Sequence, residues 1–440
     1  MRTFGLTLLA LTLLHVVLQP ARANETVESL AQKAVSAAPS ESSRAIEELR
    51  ALGPNGLRAL IDAHQLSINH RIEKPMAPID DDWLRLSSAL DAVSQQRDSY
   101  VSGLFWYTDF EAAKRAALQS GKPILSLRLL GKLTDEFSCA NSRFFRVALY
   151  ANASVSNVLR ERFILHWQAV RNVPRITIDF GDGRKLERTI TGNSIHYVLD
   201  SEGRPIDGLP GLYGPAAFLK VLGEAEQVFH QLKFGNRIDR HTALVNFHRA
   251  RINAISVAWA RDTQSIGGKL PERVRILRGE GGDALAVAEL AATKALTEVT
   301  ILRSMTAGAD ALGRITDEEA WRGIAALHAA DAKLDGRSVS LITRQTHQLL
   351  ASESSAWPDA LKKLVARFEQ NLALDSVRNE FLLHVKLHAL MGSITPWEDV
   401  EPLNEKVYAE LFMTPRSDPW LGLLAADTYT ALQNGGVVKK

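Results

Sequence analysis

Strand-type patterning is confined to about residues 103–230 of this 440-residue chain, and helical periodicity fills both sides of it. That division constrains the fold more than any other feature. Inside the stretch, residues 110–120 repeat apolar side chains at helical spacing and stop at Gly121, and residues 123–130 form an apolar run suited to a buried strand. Residues 142–160 read as one helix and residues 163–170 as a second strand. Residues 175–180 alternate strictly, pass through Gly181-Asp182-Gly183 and alternate back over residues 185–191, which predicts a hairpin. Residues 195–199 follow as a strand, residues 200–203 and Pro210-Gly211 as turns, and Pro215 opens a helix to about Leu232. Strands interleaved with crossover helices predict an α/β layer.

The flanks are helical. Residues 42–52 and 57–66 pair around Gly53-Pro54, a glycine after one helix and a proline at the start of the next. Residues 45–60 resemble one helix-pair unit of a HEAT-type repeat. Asp81 or Asp82 is expected to cap a helix through Val93. Beyond Phe234, helical periodicity marks residues 240–261, 284–305, 317–333, 339–350, 358–389 and 403–412. Residues 316–319 form a capping box, residues 262–282 a glycine-containing loop, and Asp418-Pro419 the start of a last short helix. The expected organisation is a leader over residues 1–23, a helical region over 24–102, an α/β domain over 103–232 and an all-helical domain over 233–440.

Arg2, the apolar run of residues 5–18, Pro20 and the small-x-small triplet Ala21-Arg22-Ala23 have the layout of a cleavable secretory signal. The run is shorter than the roughly 20 residues that span a bilayer, so the mature chain is expected to start at Asn24 and to be periplasmic or secreted, without stable membrane insertion. Loss of Arg2 and Arg22 brings 52 basic residues to parity with 50 acidic ones. A neutral chain has no electrostatic attraction to nucleic acid, and another exported protein is the expected partner. No phosphate loop, dinucleotide fingerprint, zinc-protease motif or haem-attachment motif occurs, so no cofactor is expected.

The single cysteine, Cys139, excludes an internal disulfide. It stands at the head of a helical pattern as Cys139-Ala-Asn-Ser142, where unpaired amides and the helix dipole favour a thiolate. Arg143 adds positive charge nearby, while Asp135 and Glu136 oppose it. The order of elements around it resembles the thioredoxin superfamily over about residues 103–230. The resemblance rests on Trp106 and the helix after it, on Ser120-Gly-Lys-Pro-Ile-Leu125, on the cysteine at a helix start, and on Tyr197-Val-Leu-Asp-Ser-Glu-Gly203 followed by Leu209-Pro-Gly211. It implies a thioredoxin-like α/β fold with Cys139 and Ser142 at the redox positions and Trp106, Arg143 and Ser194 around them. The chain departs from the family twice: Ser142 stands where the resolving cysteine would be, and Ser194 where the family has its cis-proline. A monothiol can form a mixed disulfide but cannot resolve it internally.

Three functions are expected from these features. The leading one is an exported thioredoxin-like module that binds or scaffolds a partner without dithiol chemistry. The alternative is a monothiol redox protein acting through Cys139. The third is a metal site in the helical half, where Glu380, His384 and His388 recur every four residues and present a carboxylate and two imidazoles on one helix face. On that helix Phe381, Leu382, Val385 and Leu387 are the expected buried face, which would leave the ligand stripe partly exposed. Asp375, Arg378 and Asn379 suggest a buried polar network, and Trp321, Trp357, Trp397 and Trp420 suggest packing anchors.

Overall fold

The computed structural model describes residues 26–190, 192–232, 237–267, 292–294, 318–353, 357–393 and 396–421. The expected leader, most of the expected helix 284–305, the expected loop beyond residue 267, the first half of the expected capping box and all but the start of the expected last short helix lie outside the described residues.

The first helices follow local rules. Pro39–Ala51 and Pro54–Ala63 each begin with proline, and between them Gly53 takes φ 66°, a left-handed value that a side chain resists. Asp81–Ser94 is capped by Asp80, whose carboxylate accepts the Trp83 amide at 2.8 Å, one residue before the expected cap. Leu49, Leu57, Leu60, Leu90 and Val93 form the core of this region. Leu341 and Ile342 join it from the distant helix Gly336–Glu353, and Ser340 donates to the Ile72 carbonyl at 2.6 Å.

The α/β layer is a five-stranded mixed sheet. Its strands are β1 (Trp106–Tyr107), β2 (Ile124–Leu130), β3 (Ile164–Arg171), β6 (Ser194–Leu199) and β7 (Pro205–Pro210), ordered β1-β3-β2-β6-β7. β1, β3 and β2 run parallel, while β6 pairs antiparallel with β2 and β7 with β6. Every residue of β2 is buried, as expected of a central strand covered on both faces. β4 (Arg175–Asp179) and β5 (Lys185–Thr189) form the separate hairpin, with Gly181 and Gly183 in its turn at φ 78° and 93°.

Two expectations over this stretch are corrected. Residues 142–160 are not one helix: Ala140–Phe144 continues as a wider π-turn over Phe145–Tyr150, and Asn152 then starts a new helix, Ala153–Arg162, by accepting the Val155 amide. Pro210, expected in a turn with Gly211, instead ends a strand, β7, whose other residues carried no strand pattern. Its prolines sit at its two ends on an edge of the sheet, where a missing amide is tolerated.

Among the described residues beyond Phe234, all regular structure is helical. The helix Trp357–Arg378 runs without a break through a π-turn, Asn379–His384, into Val385–Met391. These helices share one apolar cluster with the sheet, joining Tyr197, Ile206 and Leu209 to Leu372, Phe381, Leu387 and Tyr408. Contact is close where Gly211, at φ 80°, faces Asn379: a Cβ there would lie 2.6 Å from the amide nitrogen. The turn after Phe412 is held by Arg171, which donates to the carbonyls of Thr414 at 2.9 Å and Asp418 at 3.1 Å. Of the tryptophans, Trp321 is buried, Trp357 and Trp397 are half-buried, and Trp420 is exposed rather than an anchor.

Candidate functional site

The chain offers two chemical clusters, one at each end of the β6–β7 ladder. The first is the thiol. Cys139 immediately precedes Ala140–Phe144, as expected, but its side chain is fully enclosed. Its Sγ lies 3.2 Å from Ser194 Oγ at the start of β6, and a Cβ on Gly192 would lie 2.2 Å from its Cβ. The segment entering β6 therefore closes over the sulfur. Ser142 Oγ hydrogen-bonds Ser138 Oγ, and Arg143 Nη2 donates to Thr189 at 3.0 Å. Asp135 and Glu136 pair with Arg175 and Arg97 at 2.8 and 3.0 Å. Trp106 is buried apart from the thiol, its indole donating to Gln96 at 2.9 Å. The structure thus joins Cys139 with Ser194 and separates both from Trp106.

The second cluster surrounds the helix that carries Glu380, His384 and His388. His384 and His388 are fully buried rather than exposed, because β7 and the helix Arg237–Ser265 cover that face. β7 contributes Asp207 and the covering helix contributes His248, both buried. His248 Nδ1 lies 2.9 Å from His388 Nδ1. His384 bridges two carboxylates, with Nδ1 2.7 Å from Glu380 Oε2 and Nε2 3.4 Å from Asp207 Oδ1. Asp207 Oδ1 also lies 3.7 Å from His388 Nδ1. Arg251 then pairs with Glu380 at 3.0 Å and Glu224 at 2.7 Å.

The charges follow from this geometry. Burial opposes a charge on His384, but Glu380 and Asp207 outweigh it and raise its pKa to about 9. Burial lowers His248 to about 4 and drives His388 well below its usual value, so both rings are neutral near pH 7. Burial pushes Asp207 toward protonation, yet the imidazoles of His388, His384 and His248 together hold it below the usual carboxylate range. Asp207 Oδ2 and His388 Nε2 are buried without a hydrogen-bond partner among the described residues.

Two cavities meet this network. One of about 330 Å³ has Tyr213, Glu224, Arg251 and Glu380 in its wall, and one of about 30 Å³ reaches His248 beside Arg240 and Trp397. Larger clefts of about 790 Å³ near His64 and about 540 Å³ near Arg160 lie among the N-terminal helices, away from both clusters.

Asp375, Arg378 and Asn379 are buried as a polar network: Asp375 accepts the Ala292 amide and the Thr293 hydroxyl, and Asn379 donates to the Leu212 carbonyl at 2.7 Å. Asp207, His248 and Arg251 were not among the residues singled out from sequence. His248 carried a usable signal, since it lies on one stripe with Leu244, Ile255 and Trp259 of its helix, the apolar face. Asp207 carried none, standing in a proline-bounded segment with no strand alternation. Comparison with protein-family models, curated proteins and solved structures gave no match.

Proposed function

We propose that the chain is an exported thioredoxin-like protein that acts by binding a partner, without dithiol exchange. The observation that carries this reading is the enclosure of Cys139 under the segment entering β6. A nucleophilic thiol must be reachable by the disulfide it attacks. The sheet order, with three parallel strands and an antiparallel closing pair, supports the thioredoxin-like reading. So does the 3.2 Å approach of Ser194 to the thiol, which is where the resemblance sets those two positions side by side.

Thiol labelling tests the absence of redox chemistry. In the native protein Cys139 is expected to react on the order of 100-fold or more slowly than in denaturant, because labelling must wait for local opening. A native rate above the unfolded rate at pH 6 would instead establish the monothiol redox protein, whose supporting feature is the position of Cys139 at a helix start.

Export rests on the pattern of residues 1–23. The mature protein recovered from an expressing cell is expected to begin at Asn24, as read by intact mass. Retention of Met1 on exported material would contradict it.

A further inference from the structure

We infer that Asp207, His248 and His388 form a buried site for one zinc-type divalent cation, with His384 and Glu380 as its outer support. This goes beyond the binding role proposed above and does not depend on it. The three ligand groups come from three elements, β7 and two separate helices, and one ligand atom from each lies within 4.8 Å of the others. Two imidazoles and one carboxylate are a zinc ligand set with one position left open. Calcium and magnesium require more oxygens than this site offers.

Two of the three ligand separations bracket the spacing that ion needs, and the third, between Asp207 and His248, lies within 4.8 Å. Tetrahedral ligands at about 2.0–2.1 Å from zinc are roughly 3.3 Å from one another. The Nδ1–Nδ1 separation of 2.9 Å and the Asp207 Oδ1–His388 Nδ1 separation of 3.7 Å lie on either side of that spacing. The site also holds a buried acceptor, Asp207 Oδ2, that no donor among the described residues satisfies. Of the two rings joined Nδ1 to Nδ1, the one with its proton on Nδ1 shifts it to Nε2, and the proton count is unchanged.

The support is built in. His384 donates toward Asp207 and is itself anchored by Glu380, which Arg251 holds in turn. A hydrogen-bond donor orienting a ligand carboxylate is a usual outer arrangement of a metal site. The small cavity at His248 gives a route inward. The helix pattern alone pointed to Glu380, His384 and His388 as ligands. The fold retains His388 and replaces the other two with residues from outside that helix.

The test uses the full mature chain, stripped with a chelator and incubated with Co²⁺ as an optical probe and with Zn²⁺ for direct metal analysis. One ion per chain is expected, with the intense visible absorption of tetrahedral Co²⁺. Zn²⁺ is also expected to raise the melting temperature by mass action. His248→Ala and Asp207→Asn should each weaken binding by more than about 100-fold, whereas Glu380→Gln should keep the stoichiometry and weaken it by about tenfold. If either ligand variant fails to fold, His248→Asn at the cavity rim decides the matter by the same measurements. Failure of the native chain to retain metal, or retention unchanged by the His248 and Asp207 substitutions, overturns the site.

Discussion

Acidification from pH 7 to pH 5 is expected to lower the unfolding free energy by on the order of 4 kcal/mol. The cause is a set of buried histidines. Burial lowers His196 to about 3; burial, and then the nearby Arg128 charge, lowers His166 to about 3; burial lowers His248 to about 4 and drives His388 well down. A histidine whose folded pKa is depressed contributes stability that is complete above its unfolded pKa of about 6.5 and is lost as the pH falls toward the folded value. At pH 5 each of His196, His166 and His248 costs about 2 kcal/mol, and His388 adds to the loss in the same direction. Asp91 and Asp375 act the other way. Burial raises both to about 6, so the folded state takes up protons there first and recovers part of the loss. A total stability of 5–15 kcal/mol is typical, so the net change is a large fraction of it. Urea unfolding at pH 7, 6 and 5, with chelator present so that no metal holds His248 and His388, measures the effect. Equal stability across that range, or a maximum at pH 5, would contradict it. His196→Phe should reduce the decline by about 2 kcal/mol, roughly half of it, provided the variant folds, because that histidine no longer titrates.

Replacing His384 with leucine is expected to cost about 3–5 kcal/mol at pH 7, measured with chelator present so that no metal contributes. The ring stands between Glu380 and Asp207, and its removal leaves the Gly208 amide as the close donor to Asp207 and, among the described residues, Arg251 and Tyr213 as the partners of Glu380. The pH dependence of the wild type gives an independent check. His384 is raised to about 9, so its contribution is complete below about 6.5 and is lost as the pH rises through 9. The wild type should therefore lose about 3 kcal/mol across that alkaline range, and His384→Leu should not. Adding Asp207→Asn to His384→Leu should cost less than the sum of the two single changes, by about 1–2 kcal/mol, because one charge no longer needs a partner. A single variant within about 0.5 kcal/mol of the wild type would show that the bridge carries no stability.

What the chain's order of residues determined by itself was local. Gly53-Pro54 separated two helices, and Gly121 ended the helix Phe110–Ser120, because backbone angles of glycine and proline act over a few residues. The alternation about Gly181 and Gly183 specified the hairpin, and the run over residues 124–130 specified a strand buried on both faces. The helix start at Cys139 was equally legible. His384 and His388 could be placed on one helix face from their spacing alone, since a helix repeats every 3.6 residues.

The tertiary structure decided the rest, and the reason is sequence distance. β7 is a strand because β6 offers it a ladder; its own prolines and glycine carry no such preference. The break at Asn152 follows from a side-chain cap and from packing against the sheet, in a stretch whose periodicity is helical throughout. Cys139 is enclosed because Gly192 and Ser194, more than fifty residues later, close over it. His248 reaches His388 across 140 residues and Asp207 reaches His384 across 177. No local pattern encodes such a meeting. It arises when β7 and the helix Arg237–Ser265 both pack against one helix, and the burial and the carboxylate neighbours that result set whether each imidazole there is charged or neutral.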